Sequence, residues 1–113
     1  MRAPASAANT PLFDYTLMPT HMRNPFDVAE LQDIQLAEPF AFTKGCRTMK
    51  LPGRLWVDAH QFGTLLFDTE TDPKQEHPMS DPDIEAKMID HLVALMREGD
   101  APREQYQRIG LGQ

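Results

Sequence analysis

The sequence predicts an α+β fold: a small antiparallel sheet with a long C-terminal helix packed on one face. Three observations lead there. Short stretches of alternating apolar and polar residues, PLFDYTLMP, RLWVDAH and GTLLFD, read as strands. A capped amphipathic segment follows at residues 81–98. Ten prolines in 113 residues, about twice the usual share, give much of the remainder to turns and irregular connections.

Residues 1–11, rich in Ala, Pro, Asn and Ser, lack periodicity and are expected to form an extended or mobile arm. Residues 12–113 then form the domain. In the first strand Leu12, Asp14, Thr16 and Met18 alternate with Phe13, Tyr15 and Leu17, and Pro19 closes it. Within DVAELQDIQL, Val28, Leu31 and either Ile34 or Gln35 fall on one helical face. Asp27 sits at the positive end of that helix, and Pro39 ends it. Residues 40–51 form a second extended region interrupted at Gly45, and Pro52-Gly53 signals a turn. RLWVDAH and GTLLFD are expected to pair as a hairpin around residues 61–63.

The last helix has the fullest set of signals. Asp81 caps it, Pro82 suits the first helical position, Asp83 and Glu85 meet the positive end of the dipole, and Gly99 supplies the stop. Ile84, Met88, Leu92, Leu95 and Met96 make one apolar stripe, expected to pack on the sheet that carries Trp56 and Leu66. Burying each would contribute roughly 1.5–3 kcal/mol before entropy is deducted. The tail APREQYQRIGLGQ adds a short turn that returns Tyr106 and Ile109 to the domain.

Composition narrows the function classes. A net charge of −6 argues against a phosphate-tracking nucleic-acid binder, which concentrates Lys and Arg to displace counterions. The cations Lys44, Arg47, Lys50 and Arg54 are spread through one segment. A single cysteine, Cys46, excludes an intrachain disulfide and is read as a reduced structural residue. No run approaches the roughly 18 apolar residues of a membrane span, and MRAPASAANTPL lacks the apolar stretch of a signal peptide. A cytoplasmic location is the default expectation, unless an export signal lies upstream.

Site chemistry is sparse. Asp68, Glu70 and Asp72 alternate like the opening of a calcium loop, but Pro73 stands where glycine is needed and Met79 where glutamate closes the loop. His21, His60, His77 and His91 lack zinc-ligand spacing. Ser6 and Ser80 are the only serines, one in the arm and one beside a cap; a serine triad stays open on sequence alone. His21, Arg23, Lys44 and Arg47 are the remaining candidates: a solvated, salt-bridging face, or a rim for an anionic ligand such as a sulfate ester. No catalytic residue, metal ligand or cofactor is assigned.

The segment Gly63–Glu98, GTLLFDTETDPKQEHPMSDPDIEAKMIDHLVALMRE, places a Leu-Phe-Asp strand end and an Asp-Pro turn before a long helix. With LFDYTLMPTHM, FTKGCRTMK and DAPREQYQRIGL, it resembles the C-terminal subdomain of bacterial type I sulfatases, in the alkaline-phosphatase-like superfamily. The usual Asn-Leu after the Asp-Pro turn is Pro78-Met79 here. The resemblance implies a small sheet and helix docked on a large α/β catalytic domain, and sulfate-ester hydrolysis by a complete protein with calcium and formylglycine. Neither group is assigned to this chain. Formylglycine forms at Cys or Ser followed two residues on by Pro and four on by Arg. Cys46 has Thr48 and Lys50 there, and Ser80 has Pro82 but Ile84. The chain is therefore read as a non-catalytic, detached or truncated sulfatase subdomain. Its expected partner is a catalytic domain or a second copy. The alternative is a stand-alone module that binds a protein partner through its sheet face, and a small enzyme with an unrecognised site ranks last.

Incubated with calcium, a formylglycine-generating enzyme and a chromogenic aryl sulfate, the chain alone should give no turnover. Hydrolysis that disappears in a Cys46→Ala variant would reverse that expectation.

Overall fold

The computed structural model describes every residue except Pro19, Met22 and Gln113, so the strand end expected at Pro19 lies outside the described residues. The elements in chain order are β1 (Phe13–Thr16), β2 (Thr20–His21), β3 (Asn24–Pro25), α1 (Val28–Gln32), β4 (Gln35–Leu36), β5 (Met49–Pro52), a 3₁₀ turn (Ala59–Phe62), α2 (Pro82–Glu98) and α3 (Arg103–Arg108). The class is α+β, with a three-stranded antiparallel sheet of order β1-β5-β4, a two-stranded β2–β3 ribbon and a 17-residue helix toward the C-terminus.

β5 is the central strand. Phe13 pairs with Pro52 and Thr16 with Met49 on one side; Gln35 pairs with Lys50 and Leu36 with Met49 on the other. The ladder runs past Pro52, where the Gly53 N–H donates to the Leu12 carbonyl at 2.9 Å. A Cβ on Gly53 would lie 2.8 Å from Leu12 Cγ, so the glycine permits the strands to stay paired there. Pro52-Gly53 thus continues the sheet and is not the turn its composition suggested.

Alternation along β5 sends Leu51 inward, and it is the large side chain that is fully buried, with Phe26 and Ala37 as its buried apolar companions. α1 begins as expected. Asp27 accepts from the Glu30 N–H, and Glu30 accepts in return from the Asp27 N–H, a complete capping box. It is shorter than its periodicity implied, because Gln35 and Leu36 leave the helical register to pair with β5. Sheet hydrogen bonds win over a helical face that had nothing to cover: Val28 and Leu31 stay exposed.

The predicted hairpin of RLWVDAH and GTLLFD does not form. Asp58 instead accepts from the His60 N–H and starts a 3₁₀ turn, leaving Leu55, Trp56 and Val57 exposed. Leu66 bridges Met79, and Leu65 exchanges backbone hydrogen bonds with Met1 at 2.9 and 2.6 Å.

α2 matches its sequence signals at both ends. Asp81 accepts from the Asp83 and Ile84 N–H groups, Pro82 is the first helical residue, and Gly99 is the C-cap. The left-handed position falls one residue later, on Asp100 at φ 53°, whose carboxylate accepts from the Ala41 N–H at 3.0 Å. The buried side of the helix differs from the expected stripe. Ile84, Ile89, Leu92, Val93 and Met96 are half-buried, whereas Met88 and Leu95 are exposed. The face is rotated by about a residue, because α2 does not lie on a sheet carrying Trp56. It faces Leu65, Leu66 and Phe67 along most of its length, and Leu95 and Met96 share a hollow with Tyr15 and Phe42 at its end. No residue of α2 is fully buried.

The arm of residues 1–11 has no regular structure but is anchored at several points. Ala5 N–H donates to the Arg108 carbonyl at 2.7 Å, Arg2 Nε to the Ile109 carbonyl at 3.0 Å, and His60 Nδ1 to the Pro4 carbonyl at 2.9 Å. The molecule is elongated, 46 × 27 × 24 Å, with a radius of gyration of 16.4 Å against about 13 Å for a compact chain of this length. No helix among the described residues is long and apolar enough to cross a membrane.

Leu51→Ala should cost about 2–5 kcal/mol in denaturant melts, the range for truncating a buried leucine. Leu92→Ala, at a half-buried site, should cost less. Equal losses would mean that α2 carries as much of the core as the sheet.

Candidate functional site

β1 and the β2–β3 ribbon enclose the cleft that gathers the most varied chemistry. It is open, about 650 Å³, and lined by Asp14, Tyr15 and Thr16 of β1, Thr20, His21, Arg23 and Asn24 of the ribbon, and Phe26 and Trp56. Trp56 is 80% exposed, so a large aromatic face is turned to solvent at the edge of a polar groove.

His21 and Arg23, two of the four candidates from sequence, line this cleft. Lys44 and Arg47 do not: Lys44 sits in the turn of residues 41–45 at φ 52°, and Arg47 pairs with Glu38 at 2.6 Å on an exposed face. The four residues therefore do not share one cavity, and Asp14 places a carboxylate among the lining groups. Lys44 and Arg47 match the salt-bridging, solvated reading of that segment.

His21 is held in place by its neighbours. Its ring meets Phe26 edge-on at 4.7 Å, and Nε2 donates to Glu30 Oε1 at 2.6 Å. Glu30 also takes Arg54 Nε at 2.8 Å, while Arg54 Nη2 reaches Asp27 at 2.8 Å. Burial pushes the Glu30 carboxyl up, but the Asp27 N–H, His21 and Arg54 outweigh it and leave the group below its ordinary range. With Nε2 engaged by an anion, His21 is a fixed wall of the cleft and not a base offered through that nitrogen. The arrangement suits binding: an aromatic platform, the two threonines Thr16 and Thr20, and one exposed guanidinium.

Beneath the cleft, Tyr15 turns its hydroxyl away to donate to Glu104 of α3, and Lys50 Nζ reaches the same carboxylate oxygen at 2.8 Å. Lys50 also lies 4.2 Å from the centre of the Phe13 ring. This junction was not legible in the sequence, because Tyr15, Lys50 and Glu104 have no spacing in common. Desolvation and the Glu104 hydrogen bond raise the Tyr15 pKa. Desolvation lowers that of Lys50, but the bonds to Glu104 and Tyr15 leave it raised. Desolvation raises that of Glu104, and Lys50 and Tyr15 reverse the sign and lower it.

The remaining candidates resolve as structure. Cys46 is exposed and free, not a buried core residue. Asp68 caps the acidic turn by accepting from the Glu70 and Thr71 N–H groups. Asp72, Glu76 and His77 bring ligand atoms within 4.8 Å of one another. Both Asp72 oxygens, however, already accept from the Glu76 and His77 N–H groups. Two carboxylates and an imidazole also fall short of the 6–8 oxygens calcium prefers, so the cluster does not fit that ion. Comparison with protein-family models, curated proteins and solved structures gave no match.

The junction fixes a pH profile for the attachment of α3. Glu104 has a lowered pKa, so its contribution is present above its ordinary value of 4.5 and is lost as pH falls through the lower folded value. Lys50 and Tyr15 have raised pKa values, so theirs is present below about 10 and is lost as pH rises through the folded values. Amide protection of α3, taken relative to the intrinsic exchange rate at each pH, should be greatest across the interval between these limits, and Glu104→Gln should flatten the acid limb. An unchanged acid limb in that variant would show that α3 is held by other contacts.

Proposed function

We propose that this chain is a non-catalytic docking subdomain, equivalent to the C-terminal portion of a sulfatase-like sulfuric ester hydrolase. In this reading it covers its exposed apolar side with a catalytic domain and presents the His21–Arg23–Trp56 cleft toward the rim of a substrate pocket. The observation that supports it is an excess of surface. The chain exposes 8200 Å², whereas a compact monomer of 12.8 kDa exposes about 6,300 Å². The difference, about 1,900 Å², exceeds the roughly 800 Å² that each partner buries in a standard interface. Leu17, Met18, Leu36, Trp56 and Val57 are among the large apolar side chains left exposed. The motifs that resemble sulfatases suggest what covers them.

A second reading is favoured by the sheet itself. With β5 central, β1 and β4 each keep an unpaired edge, and a partner strand could add to either. On that reading the chain is an independent module that binds a protein partner through its sheet.

Sedimentation velocity across a hundredfold concentration range, with a hydrophobic dye, tests the uncovered surface. Self-association or dye binding is expected, and a compact dye-free monomer throughout would overturn the docking-subdomain reading and favour the independent module. Complementation separates them. A bacterial sulfatase lacking its own C-terminal subdomain should regain aryl sulfate turnover when this chain is added; dye binding without rescue would favour the independent module.

A further inference from the structure

The protein's net charge is distributed with an asymmetry that composition alone conceals. Residues 68–85 contain seven carboxylates, Asp68, Glu70, Asp72, Glu76, Asp81, Asp83 and Glu85, against the single Lys74. The remaining 95 residues contain ten acidic and ten basic side chains and are neutral overall. The whole net charge of −6 therefore belongs to one short segment.

That segment borders an apolar groove. Leu65, Leu66 and Phe67 form one wall and Met88, Ile89 and Leu92 of α2 the other, around an open volume of about 430 Å³. Thr69, Gln75 and Glu85, all within the acidic segment, join Met1, Arg2 and Thr64 in the lining, and the Met1 ammonium is spent on the Leu65 carbonyl at 2.6 Å. The groove's own charged pair, Arg2 and Glu85, is joined at 3.5 Å. Few polar groups are therefore left inside to orient a small polar ligand.

We propose that this groove is a docking site for an apolar segment of a partner protein that carries flanking Lys and Arg residues. The apolar walls supply the burial, and the acidic border selects the flanks. Asp68, Asp72 and Asp81 accept backbone N–H groups as turn and helix caps and keep their carboxylates in fixed positions. Among the described residues the carboxylates of Glu70, Glu76 and Asp83 cap no backbone N–H and are exposed to incoming cations. Such charges act within a Debye length of about 8 Å at physiological salt, so they steer a segment lying in the adjacent groove.

Charge also argues against other occupants. Phosphate backbones and anionic membrane surfaces are repelled. A second copy carries no net positive charge to offer in exchange, since the chain outside the segment is neutral overall, and groove-to-groove pairing would oppose two blocks of charge −6. The groove shares no residue with the cleft around His21 and Trp56, so this inference does not rest on the sulfatase reading.

The test uses the full chain and a fluorescein-labelled amphipathic peptide of Leu and Lys in helical register. A Leu/Glu peptide of the same pattern serves as control. Binding of the Leu/Lys peptide should weaken as salt rises, and amide shifts should map to residues 64–92. Met88 is 51% exposed, so Met88→Lys should fold, as circular dichroism would verify, and weaken binding by about tenfold or more. Glu70→Gln, Glu76→Gln and Asp83→Asn together leave the capping aspartates intact and should flatten the salt dependence. Equal affinity for the Leu/Glu peptide, or shifts that map elsewhere, would overturn the proposal. So would binding indifferent to Met88→Lys in the folded variant, or self-association abolished by it.

Discussion

Glu104 accepts from Tyr15 of β1 and Lys50 of β5 at a single oxygen, and the organisation of the chain follows from that junction. The carboxylate is largely shielded, at 15% side-chain exposure, so its partners are not exchanged freely for water. It fixes α3 on the sheet, and α3 in turn fixes the N-terminal residues: Arg108 donates to the buried Asn9, and its carbonyl accepts from Ala5. Those residues then hold Thr64 and Leu65, which face α2. At the end of α2 the contacts are also partly polar: Asp100 accepts from the Ala41 N–H, and the Gly99 carbonyl from the Phe42 N–H. The two apolar layers are thus joined by polar clips at their ends more than by a shared interior. This fits the elongated shape and the near absence of fully buried side chains.

Such a construction has a thermodynamic consequence. Exposed ion pairs contribute about 0–1 kcal/mol each, whereas a buried apolar side chain contributes roughly 1.5–3 kcal/mol. Of the two, the clips determine where α2 and α3 lie but do little to keep the chain folded. Stability rests on the packing around Leu51 and on the β5 ladder, which buries a small apolar surface. An outside surface that covered Trp56, Leu17 or Met88 would add the missing term, and folding and association would then be coupled.

Local signals in the sequence were legible where a single segment decides its own structure. Asp81-Pro82 and Asp27 marked two helix starts, and Asp68 and Asp72 marked a turn, because such signals need only neighbours; the Glu30 half of the Asp27 capping box came from the structure. Long-range choices were not legible in the same way. Trp56 has the alternation of a strand but no partner in register, while Gln35 and Leu36 have helical spacing yet found one in β5. The rotated face of α2 has the same cause. Ile89 and Val93 turn inward because the neighbouring element is the segment near Leu65, a placement set by Met1 and not by the helix. Of the candidate site, His21 and Arg23 converge because the ribbon is local. Lys44 and Arg47 lie on another loop, and the Tyr15–Lys50–Glu104 junction joins residues up to 89 positions apart.

The polar cleft and the apolar groove follow different electrostatic rules. Around His21 and Trp56 the lining mixes the Asp14 carboxylate with the Arg23 guanidinium, so that cleft admits a ligand on shape and on its aromatic face. Around Met88 and Ile89 the bordering segment of residues 68–85 carries seven carboxylates against Lys74, so that groove favours cations by sign before contact. An exposed apolar surface on a marginal core invites indiscriminate aggregation. Carboxylates along its border oppose the approach of another copy, which has no surplus of positive charge to answer them, while leaving the opening available to a cationic partner. Segregating the net charge beside α2, with the rest of the chain near neutrality, is therefore a means of protecting one apolar opening without closing it.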